Sequence, residues 1–265
     1  MSFASPVLLG RSGLRVGRIG LGASYGVSAS GIERAFHERG VNYFYWGSIR
    51  RHGMRDAVRH LAPTRRSAMV VALQTYDRSG LLMAPFVTRG LRALGIDHAD
   101  VLILGWHQRP VSRRVIDAAL RLKELGLVGH LAMSGHDRGL IGRLAADSAQ
   151  PFDILMFRYN AAHRGADAEI LPRLPVANRP GTIAYTATRW GQLLDPKRMP
   201  EGEPALGAAD CYRFALTDPR VDMVLAGPAS DEELDGALAA LDRGTLDEDE
   251  LARVRRIGDH VRAGG

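Results

Sequence analysis

From about residue 18 onward, short apolar runs alternate with longer segments in which apolar residues recur every three or four positions. Runs of the first kind read as buried parallel strands, and segments of the second kind as amphipathic crossover helices. The strands are predicted at 18–22, 43–45, 69–73, 101–104, 130–133, 154–157, 182–185 and 223–226. The helices that follow them are predicted at 30–39, 54–61, 81–94, 112–125, 139–146, 166–171, 208–216 and 230–241. Ser112 and Ser230 stand where N-caps belong. Ahead of the first unit, 7–9 and 14–16 predict a hairpin turning at Arg11, Ser12 and Gly13, and an amphipathic helix at 248–261 follows the last. Eight βα units without a break predict one closed (β/α)8 TIM barrel over 1–265, with an N-terminal β-hairpin and an extra C-terminal helix.

Composition narrows the function classes. The length of 265 residues suits one α/β barrel, for which about 250 is typical. No apolar run approaches the roughly 20 residues that span a bilayer, so no membrane partner is expected. The first ten residues lack a basic stretch followed by a long apolar one, and a cytoplasmic address is expected. Cys211 is the only cysteine, which excludes an internal disulfide and reads as a small buried side chain. The formal charge is +6, but the arginines are scattered and no nucleic-acid reader motif accompanies them. A small-molecule ligand remains. Nothing in the pattern fixes the oligomeric state.

Barrel enzymes carry their sites at the C-terminal ends of the strands. That rule selects Tyr45, Trp46 and Arg50 after the second strand, then Gln74 and Tyr76 after the third. Trp106 and His107 follow the fourth, Ser134 and His136 the fifth, Arg158 and Asn160 the sixth. Tyr185 and Arg189 follow the seventh. Guanidinium forks beside aromatic rings favour a planar or anionic ligand. Arg158, Arg164 and Arg189 read equally well as structural ion pairs. His107, His136 and His163 lack the close spacing of a dedicated metal site, even with Asp77 or Asp137, so no metal is expected.

The segments LGRSGLRVGRIGLG (9–22), GVNYFYW (40–46), ELGLVGHLAMSG (124–135), FRYN (157–160), AYTATRWGQLL (184–194) and LAGPASDEEL (225–234) resemble, in order, those of the aldo/keto reductases. The resemblance implies a barrel whose floor is plugged by the opening hairpin. It also implies carbonyl reduction with NADPH, in which a tyrosine donates the proton, lysine and aspartate tune it, and histidine orients the carbonyl. Carried over position by position, aspartate falls on Tyr45, tyrosine on Arg50, lysine on Gln74 and histidine on Gly105. Tyr76 and His107, each two residues on, are the substitutes within reach. The chain's lysines, Lys123 and Lys197, fall elsewhere, leaving arginines such as Arg50 and Arg78 to tune a tyrosine.

On the cofactor side the resemblance retains Ser134 and Tyr185, while Gly135 replaces an asparagine and Met156 a glutamine. At the phosphate-gripping loop the chain offers Ala229 and Glu233, with Ala237 near the adenine position. A carboxylate there opposes NADP(H), although Ser230 and its helix N-terminus would hold a phosphate.

Three functions follow. The first is a small-molecule enzyme with a reassigned mouth, acting on an anionic or aromatic substrate. The second is an NADP(H)-dependent oxidoreductase with Tyr45 or Tyr76 as a non-standard proton donor. The third is a non-catalytic binding protein on the same barrel.

Overall fold

The computed structural model describes residues 3–22, 26–47 and 52–264. Its hairpin pairs β1 (Val7–Leu8) antiparallel with β2 (Arg15–Val16), Val7 opposite Val16. The hairpin carries Leu9 and Val16 into the apolar cluster inside the barrel, where both are fully buried. Gly10 makes that possible, because a Cβ there would come within 2.2 Å of the Gly181 nitrogen. The guanidinium of Arg11 donates to the carbonyls of Gln150 and Phe152, which precede the strand at Ile154–Arg158. The hairpin therefore plugs the N-terminal end of the barrel and leaves the opposite end free.

The barrel strands are β3 (Ile19–Gly22), β4 (Tyr43–Trp46), β5 (Val70–Thr75), β6 (Ala99–Leu104), β7 (Val128–Gly135), β8 (Ile154–Arg158), β9 (Gly181–Tyr185) and β10 (Met223–Ala226). They run parallel in sequence order, and β10 pairs with β3 to close the ring. The helices around them are α1 (Ala29–Arg39), α2 (Gly53–Arg65), α3 (Met83–Leu94), α4 (Arg113–Glu124), α5 (Arg138–Ala146), α6 (Ala166–Glu169), α7 (Ala208–Thr217), α8 (Asp231–Leu238), α9 (Ala240–Arg243) and α10 (Glu248–Ala263). Among the described residues no helix is long and apolar enough to cross a membrane.

The pleat sorts each strand into two layers. On β5, Val70 and Ala72 join the interior cluster while Val71 and Leu73 pack beneath the helices. On β8, Ile154 and Met156 face inward while Leu155 and Phe157 face the helices. One further step of the same alternation brings Gln74 and Arg158 to the inner face at the open end.

Several boundaries differ from the periodicity. β5 and β7 run past the predicted 69–73 and 130–133, because the backbone ladder continues through Gln74 and Ser134 after the side chains turn polar. α1 starts one residue earlier than predicted, at Ala29, with Ser28 at its cap, the Ser28 hydroxyl accepting from the Gly31 N–H at 2.9 Å. α3 starts at Met83 rather than 81, since Asp77 takes the N–H groups of Ser79 (2.8 Å) and Leu82 (2.9 Å) into a turn. Ser112 holds the cap position of α4, but its side chain makes no capping bond. The helix predicted at 230–241 is broken, α8 ending at Leu238 and α9 starting at Ala240.

Candidate ligand site at the barrel mouth

Backbone strain marks the open end. Trp106 (φ 56°) follows β6, and Thr186 (58°), Arg189 (51°) and Trp190 (52°) follow β9, all in the left-handed region. Each such residue without glycine's freedom costs about 1–2 kcal/mol, and a β-branched threonine is the worst suited. Such residues persist where surrounding contacts over-determine them, and they gather at ligand sites. Here the Arg78 guanidinium donates to the carbonyls of Gly105 (2.6 Å) and Trp106 (3.0 Å). Ser134 Oγ accepts from the Trp106 N–H at 3.2 Å. Asn160 Nδ2 donates to the Thr186 carbonyl at 2.8 Å, and Arg189 donates to the carbonyl of Val261 on α10.

The positions that the resemblance assigns to the reductase machinery have been refilled together. The Tyr45 phenol donates to the Gln74 side-chain carbonyl. Gln74 in turn occupies the room that a side chain at residue 105 needs: a Cβ on Gly105 would lie 2.0 Å from its Nε2. A Cβ on Gly47 would lie 2.8 Å from the Tyr45 hydroxyl, and one on Gly135 would lie 2.4 Å from the His107 carbonyl oxygen. Three glycines thus clear space for a phenol, an amide and a backbone carbonyl. Arg50 lies outside the described residues, as does Arg51. Lys123 is on α4 beside Asp153 (3.3 Å), at the plugged end, away from Tyr45.

His107 is buried, and its Nε2 faces the Arg78 guanidinium at 3.2 Å. Arginine only donates, so Nε2 must accept and the proton sits on Nδ1. Burial, reinforced by the Arg78 charge, lowers the imidazole pKa to about 4. Arg78, a possible tuner of tyrosine by sequence, is instead committed to this loop.

The arrangement at the cofactor-side residues is inward-looking. Ser134 is buried and bonded to the Trp106 backbone, and the Tyr185 hydroxyl donates to the Gly135 carbonyl at 2.8 Å. Ser230 caps α8, its Oγ accepting from the Glu233 N–H at 3.2 Å. Glu233 itself accepts from the Ala229 N–H (2.7 Å), and Asp231 accepts from the Ser28 N–H and hydroxyl (2.9 and 2.6 Å). Asp231, Glu232 and Glu233 fill the first turn of α8. That helix end already has its negative charge.

Cations gather on the opposite side. Arg158, half-buried at the end of β8, sits in register with Tyr185 on β9. Among the described residues no hydrogen bond or ion pair holds its guanidinium. Burial, followed by the charges of Arg138, Arg189 and Arg262, works against its positive charge, while Tyr185 favours it. His163 feels the same four arginines: burial, then Arg158, Arg189, Arg262 and Arg138, brings its pKa to about 4. His136 is likewise lowered by burial and by Arg158, and its buried Nδ1 has no partner. Edge-to-face contacts run outward from here, Tyr185 to His136 (5.7 Å), His136 to Trp106 (5.9 Å) and Trp106 to Tyr76 (6.1 Å).

Two predicted ligand contacts fall away. Trp46 is buried on the outer face of β4, in the layer beneath the helices, because the pleat that turns Tyr45 inward turns its neighbour out. Asn160 is fully buried and its amide is spent: Oδ1 accepts from the N–H groups of Ala162 (3.1 Å) and His163 (2.9 Å), and Nδ2 holds Thr186. Arg164 pairs with Asp259 at 2.8 Å, a structural bridge to α10. Tyr76 is 54% exposed, on the rim rather than inside. Among the described residues there is no group of three His, Cys, Asp or Glu side chains placed to hold a metal. Arg262 joins the site with no sequence signal, since only the tertiary placement of α10 brings its last turn to the mouth.

No family model and no curated protein matches the chain. Solved structures do. An aldo-keto reductase from Bacillus halodurans, determined in its holo form, superposes with a TM-score of 0.75 at 18% identity, over 96% of each chain. PA4992 from Pseudomonas aeruginosa, provisionally described as an aldo-keto reductase, superposes with a TM-score of 0.71 at 18% identity, over 91% of this chain and 96% of its own. The plugged floor, the ring of eight parallel strands and these superpositions agree that the fold of this chain is that of the aldo-keto reductases.

Proposed function

We propose that the chain is an aldo-keto-reductase-like small-molecule enzyme whose mouth has been reassigned to an anionic ligand, with Arg158 receiving the negative charge. The fold and the six family-like segments support the ancestry. One observation carries the reading: Arg158 is half-buried, faces the mouth, and has no carboxylate partner among the described residues. A buried charge left unpaired destabilises a fold, so its retention points to a partner that arrives from solution. The residues can capture and orient an oxyanion, and His136 offers a neutral imidazole beside it with a free ring nitrogen.

The second reading, an NADP(H)-dependent oxidoreductase, is favoured by the holo-form neighbour. The residues present do not fit the group. The α8 N-terminus is filled by its own carboxylates, and the space beside Ser134 is closed by the His107 carbonyl over Gly135. The Tyr45 proton goes to a neutral amide, which supplies no positive charge for a phenolate. Tyr76, the other candidate donor, is too exposed to be held against a substrate. No step is therefore routed through a nicotinamide. A thermal-shift titration with NADPH, NADP⁺ and inorganic phosphate separates the readings. Phosphate is expected to raise the Tm and neither dinucleotide to do more than its phosphate groups explain. Stoichiometric, micromolar binding of NADPH would overturn the proposal.

A further inference from the structure

The charge at the mouth is larger than one anion neutralises. Among the described residues, Arg158 at the end of β8 has no partner, and Arg189, just past the neighbouring β9, has only the uncharged Val261 carbonyl. That contact sets Arg189 beside Arg262, which follows Val261 in the last turn of α10 and makes no ion pair among the described residues. Arg138, the first residue of α5, is the member of the group that is compensated, by Glu169 at 2.6 Å. The other charged groups nearby are spoken for. Asp259 pairs with Arg164, and Asp167 accepts from the Tyr159 hydroxyl at 2.5 Å. His136 and His163 stand among these arginines as neutral rings. The C-terminal carbonyls of α10 offset only about half a charge. Among the described residues, three guanidinium groups therefore share one end of the barrel without a carboxylate between them.

Resting on the reading of the mouth as an anion site, we infer that its ligand carries a dianionic group, a phosphate monoester or a compact dicarboxylate, held by Arg158 with Arg189 and Arg262. A monoanion would match only one of the three cations, whereas a dianion accepts several charge-assisted bonds at once. Arg189 and Arg262 lie near enough to weigh on the Arg158 charge, and several planar forks in one neighbourhood suit a tetrahedral or branched oxyanion more than a single carboxylate.

The test compares methyl phosphate with methyl sulfate, which share a shape and differ by one charge, by calorimetry at fixed ionic strength. At pH 8 methyl phosphate is expected to bind at least tenfold more tightly than methyl sulfate. At pH 5 the phosphate ester is mostly a monoanion, its second pKa being about 6, and the preference should collapse. Methyl sulfate is a monoanion at both pH values and so controls for any protonation of His136 and His163, and the lost preference reports the ligand's charge. Arg262→Gln should weaken both esters at pH 8, methyl phosphate more than methyl sulfate, and cut the preference to about threefold. Malonate binding like methyl phosphate would favour the dicarboxylate; malonate binding like acetate would favour the phosphate ester. Equal affinity for methyl phosphate and methyl sulfate at pH 8 would overturn the inference and leave the anion site standing. Failure of all these anions to bind would remove both.

Discussion

Gly105 has no side chain because Gln74 fills its space, and Gln74 is held there by the Tyr45 phenol. Gly105→Ala should therefore push Gln74 off Tyr45 and cost about 1–3 kcal/mol in urea unfolding, the usual penalty of overpacking. In a Gln74→Ala background the same change should be nearly free, giving a coupling energy of about 1 kcal/mol or more in the double-mutant cycle. Additive effects would show that the two positions are not packed against each other. At this scale the sequence was only partly legible. Strand-end placement picked out Tyr45, Gln74 and Arg158, but also Trp46, which a one-residue difference in pleat turns away from the mouth. Asn160 looked like a ligand contact because its side chain is polar and follows a strand. Its use as an internal brace depends on Thr186 and His163 returning to it in space. The left-handed conformations of Trp106 and Thr186 have no sequence signal, since neither residue type favours them.

The elements that bear the histidines link stability to pH. His107 in the loop after β6 and His163 in the loop after β8 have folded pKa values of about 4, against an ordinary 6.5. Between these values the unfolded chain takes up protons that the folded chain refuses, so the fold loses stability as pH falls from about 6.5 to 4. The paired carboxylates Asp153 and Glu250, lowered to about 2, stay ionised in the fold through most of that window and matter chiefly below it. The Tm should fall on acidification from pH 7 to 4, and His163→Gln should flatten the curve. A profile unchanged by that substitution would show that His163 is not held neutral by burial and its arginine neighbours. Helix and strand existence was readable from the alternation of periods 2 and 3.6. The ends were not, because ladders and caps continue through polar residues such as Ser134 and Ser28.

At the scale of the whole molecule the barrel divides its tasks between its two ends. The hairpin seals one end with Leu9 and Val16, and burying such a side chain contributes about 1.5–3 kcal/mol. The other end keeps left-handed loops, an unpartnered Arg158 and the last turn of α10. The closed barrel was legible because eight units in unbroken order leave few other topologies. The convergence of Arg158, Arg189 and Arg262 was not, because it joins residues about a hundred positions apart through the fold. Arg158 is the centre of the site, and calorimetric titration of wild type and Arg158→Gln with inorganic phosphate at pH 8 tests its role most directly. Binding should be at least tenfold weaker in the variant. The unliganded Tm of the variant should lie at or above that of wild type, since removing an unpaired charge relieves the fold by about 0.5–1 kcal/mol. Equal phosphate affinity in the two proteins would contradict that role.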